Sequence, residues 1–145
     1  MIGRVSVSDR KKINVVILAK DEEEGLKYVL SLIPNYVRET TVVDGGLKDS
    51  SGKVARIYGA EVVHGTGKGK GYDFRYFLER VKKTDRLKGI WVLIDGDGSY
   101  DPREIRKLVE PIEKGEAQVV IGYRKYWEEN SIDILRFAGG KFYLF

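Results

Sequence analysis

The chain contains no cysteine, one histidine, one methionine and three prolines. Without cysteine there is neither a disulfide framework nor a zinc–thiolate centre, so packing has to hold the fold together. The single histidine, His64, excludes a histidine-pair metal site, and no Ser–His–Asp set assembles around it; a structural role is expected. Long apolar runs are also missing. The longest, Val15–Ala19 and Ile90–Ile94, are strand-sized and fall far short of the roughly 18 residues of a membrane span. Met1–Lys12 carries no signal-like apolar run and reads as a loose arm. The expectation is a cytoplasmic protein, with a peripheral membrane role left open.

No sign of charge dominates. Twenty-six basic against 22 acidic residues give +4, and the two kinds are interspersed. The absence of a basic stripe speaks against nucleic acid, whereas a mild positive excess suits an anionic ligand such as a nucleotide diphosphate or a lipid phosphate. With 145 residues, 42% of them hydrophobic, the chain can build one domain with an ordinary core.

What is present is alternation. Asn14–Ala19 reads as a buried strand, followed by a helix over Asp21–Ile33 with Leu26, Val29, Leu30 and Ile33 on one face. Asp21 and Glu24 form an expected capping pair, and Pro34 ends that helix. Strand Thr40–Asp44, a short helix Gly52–Tyr58 and strand Ala60–His64 follow, then a glycine-rich loop, Gly65–Gly71. A helix to Lys83 turns Phe74, Phe77, Leu78 and Val81 inward, strand Ile90–Ile94 meets an acidic loop, and Pro102 opens a further helix. Gln118–Gly122 is expected to be a fifth strand. Strand–helix alternation implies α/β architecture: an open, mostly parallel sheet with helices on both faces, of the Rossmann-like type. Ligands on such sheets bind beyond the carboxyl ends of the strands, where strand order reverses.

Polar groups gather at those ends. Asp95-Gly96-Asp97 follows an apolar strand, and two carboxylates so spaced can share a hard cation, Mg2+ or Mn2+, that clamps a diphosphate; a solvated Gly/Asp turn is the alternative. Asp44 can accept from a ribose or a base N–H, or simply cap the turn at Gly45-Gly46. The loop Gly65–Gly71 can bring amides, with Lys68 or Lys70, up to phosphates, or be a surface loop. It is no Walker loop, because Gly71 stands where Ser or Thr is required.

In order, these motifs resemble family 2 glycosyltransferases, especially the dolichyl-phosphate mannose synthase-like branch. Val15–Glu22 is similar to the opening strand with its Tyr-Asn-Glu motif, Lys20 and Asp21 replacing Tyr and Asn. Thr41–Asp49 resembles the second strand and its Gly-Ser-x-Asp turn, with Leu47 at the serine. Gly69-Lys70-Gly71, Asp95–Pro102 and Val119–Arg124 resemble the Gly-Lys-Gly, the metal motif and the Ile-Gly-Ser-Arg that follow; Ser99 replaces a glutamine frequent in the mannose synthases. The resemblance implies a nucleotide-sugar-binding domain over 13–126. Ala19, Lys20, Glu22 and Asp44 would hold base and ribose, Lys70 and Arg124 would face phosphates, and Gly96 would lie against the donor. Asp95 would lie near the donor's ribose and the metal, and Asp97 would be the principal ligand of Mg2+ or Mn2+. It further implies inverting transfer from a nucleoside diphosphate sugar to a polyprenyl-phosphate or hydroxyl acceptor, with 127–145 starting an acceptor-side or membrane-facing segment. No catalytic base is identified in the chain. A haloacid dehalogenase-type phosphohydrolase and a non-catalytic nucleotide-binding module are the rivals.

Overall fold

The computed structural model describes residues 11–46 and 50–122. Most of the arm, the segment 127–145 and Arg124 therefore lie outside the described residues, as do Leu47–Asp49. Four strands, β1 (Ile13–Ala19), β2 (Glu39–Asp44), β3 (Glu61–His64) and β4 (Ile90–Asp95), form one parallel sheet in the order β3-β2-β1-β4. Four helices connect or follow them: α1 (Glu23–Ser31), α2 (Ser51–Ile57), α3 (Lys70–Lys82) and α4 (Ile105–Glu113).

The unbroken apolar run of β1 has a direct cause. It is a central strand covered on both faces, and all seven of its residues are buried. Ile13, Val15, Ile17 and Ala19 pack with Leu26, Val29 and Leu30 of α1, Val54 and Ala55 of α2, and Ile105 and Val109 of α4. Val16 and Leu18 face the other way, with Val43 and Val63, onto Phe74, Phe77 and Val81 of α3. Trp91 closes that second layer by meeting Phe77 edge-on, with ring centroids 5.2 Å apart.

At the amino edge of the sheet, Arg86 bonds to Glu39 at the start of β2 (Nη2 to Oε1, 2.7 Å) and to Glu61 at the start of β3. Its carbonyl accepts from Trp91 Nε1 at 3.1 Å. One residue thus joins the entries to three strands, its guanidinium holding β2 and β3 and its carbonyl holding Trp91 of β4.

Two expectations fail. Gln118–Gly122 forms no strand, and Val119 and Ile121 are about half exposed. Their alternation suits a strand, but a strand exists only through a ladder, and among the described residues nothing pairs with them. Asp21 does not cap α1 either. It sits at φ 53°, and Glu22 occupies the cap position without a side-chain bond. The left-handed step, which Asp tolerates better than most residues, turns the chain sharply between β1 and α1. By contrast, Asp101 caps the 3-10 turn Pro102–Glu104 ahead of α4, accepting from Arg103 N–H at 2.9 Å.

Candidate functional site

Strand order reverses at β1. The chain steps from β1 outward through β2 to β3, then crosses back to place β4 on the other side of β1. The crevice is therefore at the carboxyl ends of β1 and β4. The register aligns Asp44 with both Ala19 and His64, and Leu18 with Asp95. Three of these strands end in a polar residue followed by glycine. Gly45, Gly65 and Gly96 each donate to the neighbouring strand, at Ala19 O (2.9 Å), Asp44 O (2.7 Å) and Leu18 O (2.9 Å).

Gly96 is buried between β1 and α1, where an added Cβ would stand 3.0 Å from Ala19 Cβ and 3.3 Å from Glu22 Oε2. Ala19 itself is buried, so its contribution at the crevice is to be small. Asp97 is exposed, and its Oδ1 accepts from Ser99 N–H at 2.8 Å, which fixes the turn. Asp95 Oδ1 is 3.0 Å from Lys70 Nζ, which arrives from the start of α3. Burial alone would lower the Lys70 pKa; its hydrogen bond to Asp95 and the charges of Asp95, Glu22 and Asp97 outweigh this and hold it raised. Lys20 is exposed at the rim. A shallow depression lined by Asp21, Glu22, Glu23, Glu24, Gly25 and Asp97 marks the mouth.

Glu22 is the strained member of this group. Its Oε2 is buried and has no hydrogen-bond partner. Burial raises its pKa, Lys70 opposes the rise, and Asp97 and Asp95 add to it. An acid raised in the folded state contributes stability that is complete below its unfolded pKa and is lost as pH climbs through the folded one. Glu22→Gln is therefore expected to raise the thermal midpoint at pH 7 by about 2–4 °C. The gain should vanish in melts below the ordinary carboxylate range; an equal gain at every pH would refute the assignment.

Asp44 is buried. Its Oδ1 accepts from Gly46 N–H at 3.0 Å, and His64 Nδ1 lies 3.3 Å from its Oδ2. The turn-forming role is thus realised, and any ligand donor must reach a carboxylate already engaged. His64 is mostly exposed and meets the chain through this acid.

The glycine-rich loop departs from the expected phosphate cradle. Thr66 and Gly67 N–H point at Asp73 Oδ1 (2.5 and 3.1 Å), Gly65 N–H at Asp44 O, and Lys68 N–H at Thr66 Oγ1 (3.2 Å). These amides are satisfied internally. Asp73 is the residue that the sequence reading missed. Its signal was an acid on the stripe that α3 buries, one helical turn before Phe77 and two before Val81.

Of the sequence-selected residues, Lys70, Asp95, Asp97, Gly96 and Glu22 converge at the β1–β4 crevice, with Ala19 beneath and Lys20 at its rim; Asp44 lies one strand away. Arg124 falls outside the described residues. Among the described residues no three His, Cys, Asp or Glu side chains form a cage. Asp95 and Asp97 on one tight turn, with Glu22 near Gly96, therefore fit a hard cation that completes its shell with water and substrate phosphate, as Mg2+ characteristically does. No described helix is long and apolar enough to cross a membrane.

Comparison with known proteins agrees with this fold. The model of the family described as glycosyl transferase family 2 matches residues 14–137. An uncharacterized glycosyltransferase of Mycobacterium tuberculosis is 34% identical over 113 residues, covering 78% of this chain and 49% of the relative. Glycosyltransferase AglJ of Haloferax volcanii is 35% identical over 80 residues, 54% of this chain and 25% of the relative. The chain thus spans half or less of these relatives. Among solved structures, glucosyl-3-phosphoglycerate synthase of M. tuberculosis, in complex with Mn2+, UDP and glucosyl-3-phosphoglycerate, superposes with a TM-score of 0.58 at 25% identity. That match covers 80% of this chain and 47% of the synthase.

Proposed function

Because the chain belongs to glycosyl transferase family 2, we propose that it binds a nucleoside diphosphate sugar at the β1–β4 crevice and serves inverting transfer of the sugar to an acceptor. The observation that carries this is the meeting of Asp95, Asp97, Glu22 and Lys70 where the strand order reverses. In this reading the partnerless Glu22 Oε2 accepts from a ribose hydroxyl, which would relieve a buried acceptor costing about 1–3 kcal/mol. Asp44, with Lys20 at the rim, serves base and ribose, and Ala19 and Gly96 leave room for the donor. Lys70 neutralises the diphosphate from the α3 side, joined by Arg124. A divalent ion held by Asp95 and Asp97, Mg2+ or Mn2+, would stabilise negative charge on the departing diphosphate.

The acceptor we propose carries a phosphate, with polyprenyl phosphate as the form suggested by the mannose synthase-like order of motifs. A phosphate acceptor is already ionised at neutral pH and needs no general base. A hydroxyl acceptor would require a base from elsewhere.

The direct experiment is a thermal-shift panel of UDP-glucose, UDP-N-acetylglucosamine and GDP-mannose, each with and without Mn2+ or Mg2+. A donor at about 100 times its Kd is expected to stabilise the fold by about 2.7 kcal/mol, only with metal present. Melting curves that no donor–metal pair moves would sink the proposal.

A further inference from the structure

We infer that Asp73 is a positioning residue that closes the glycine-rich loop on itself, so that the Lys70 side chain, rather than the backbone amides of Gly65–Lys68, meets the phosphates of a nucleoside diphosphate. The inference rests on the donor-site reading above and adds which groups of this chain recognise the diphosphate.

Asp73 is 3% exposed, and one oxygen, Oδ1, accepts from Thr66 N–H, Thr66 Oγ1–H (2.8 Å) and Gly67 N–H. Thr66 Oγ1 in turn accepts from Lys68 N–H. A carboxylate so enclosed costs free energy unless several donors meet it, and here the loop supplies them. The same carboxylate explains why the neighbouring residues are glycine. A Cβ at Gly65 would stand 2.6 Å from Asp73 Oδ1, and one at Gly45 3.0 Å from Oδ2.

The position of this acid matters as much as its bonds. Asp73 lies in the first turn of a 13-residue helix, where backbone N–H groups and the helix dipole favour negative charge. The Asp73 carboxylate brings negative charge to that end of α3, while its hydrogen bonds run to Thr66 and Gly67 of the loop. A phosphate seeking the loop amides would meet amides already spent and a fixed negative charge behind them. Gly69, at φ 118°, turns the chain into α3, and its carbonyl accepts from Asp73 N–H at 3.0 Å. Lys70 follows directly after the loop that Asp73 closes and reaches Asp95 at 3.0 Å.

The test combines Asp73→Asn, Asp73→Ala, Lys70→Met and the Asp73→Ala/Lys70→Met double variant, with UDP and Mn2+ as the probe. Amide exchange at Thr66 and Gly67 should accelerate about tenfold or more in Asp73→Ala and less in Asp73→Asn, which keeps an acceptor oxygen. UDP binding should weaken about tenfold in Asp73→Ala, with partial recovery in Asp73→Asn. In the Lys70→Met background, Asp73→Ala should cost nothing further, because it acts through Lys70. If Asp73→Ala fails to fold, the isosteric Asp73→Asn carries the comparison, paired with Lys70→Met. Full additivity, or unchanged UDP binding with a loosened loop, would overturn the inference while leaving the donor site standing. Wild-type protein that binds neither UDP nor GDP with Mn2+ would remove the donor-site reading, and this inference with it.

Discussion

Asp97→Ala is expected to weaken Mn2+-dependent UDP binding by at least about 100-fold, ~2.7 kcal/mol, while leaving the fold intact. Asp97 is exposed and outside the core, so the fold should survive its removal, at about 1 kcal/mol for the turn bond from Ser99 N–H. In the proposed site the loss is large because two carboxylates would supply the protein's share of the cation shell, and Asp95 already shares an oxygen with Lys70. Titration calorimetry with and without Mn2+ checks this. A variant that binds UDP as the wild type does, with the same metal dependence, would contradict the site.

Gly25→Val should be comparably damaging by a different route. A Cβ at this position in the first turn of α1 would come within 2.6 Å of Asp97 C, 2.7 Å of Gly96 O and 2.9 Å of Asp97 Cα. All three are backbone atoms, so no side chain can rotate aside; α1 and the acidic turn must separate. In an open helix, replacing glycine would gain helix propensity, up to about 1 kcal/mol for alanine and less for β-branched valine. Here overpacking costs about 1–3 kcal/mol and sets the sign. Chemical denaturation should show that loss, and UDP affinity should fall about tenfold or more as Asp97 leaves its place. Unaltered stability together with unaltered affinity would show that helix and turn are not in contact.

Much of this was legible in the chain because the strands are simple. β1 is apolar without interruption because it is central, and the acids that close the apolar runs of β1, β2 and β4 break the hydrophobic pattern and are conspicuous. The order of motifs also anticipated the family. What failed was decided by partners rather than by pattern. Residues 118–122 alternate like a strand, yet alternation does not provide a neighbour to pair with. Asp21 looks like a helix cap until the chain turns left-handed at it. The loop Gly65–Gly71 looks like a phosphate cradle because glycine is what a cradle and a closed loop both demand. Only the distance from Thr66 and Gly67 to Asp73 separates the two. Asp73 itself was hidden by its place on an apolar stripe, where helical periodicity directs attention to Phe77 and Val81.

The Arg86 junction at the amino edge has a mechanical consequence. It fastens the starts of β2 and β3, and through Trp91 the start of β4, at the end of the sheet farthest from the acidic crevice. A ligand that draws the carboxyl-end turns together would work against a foundation gripped at its other end. The turns can therefore rearrange as levers on a fixed base, without the strands sliding in register, and fitting a donor would leave the sheet undisturbed.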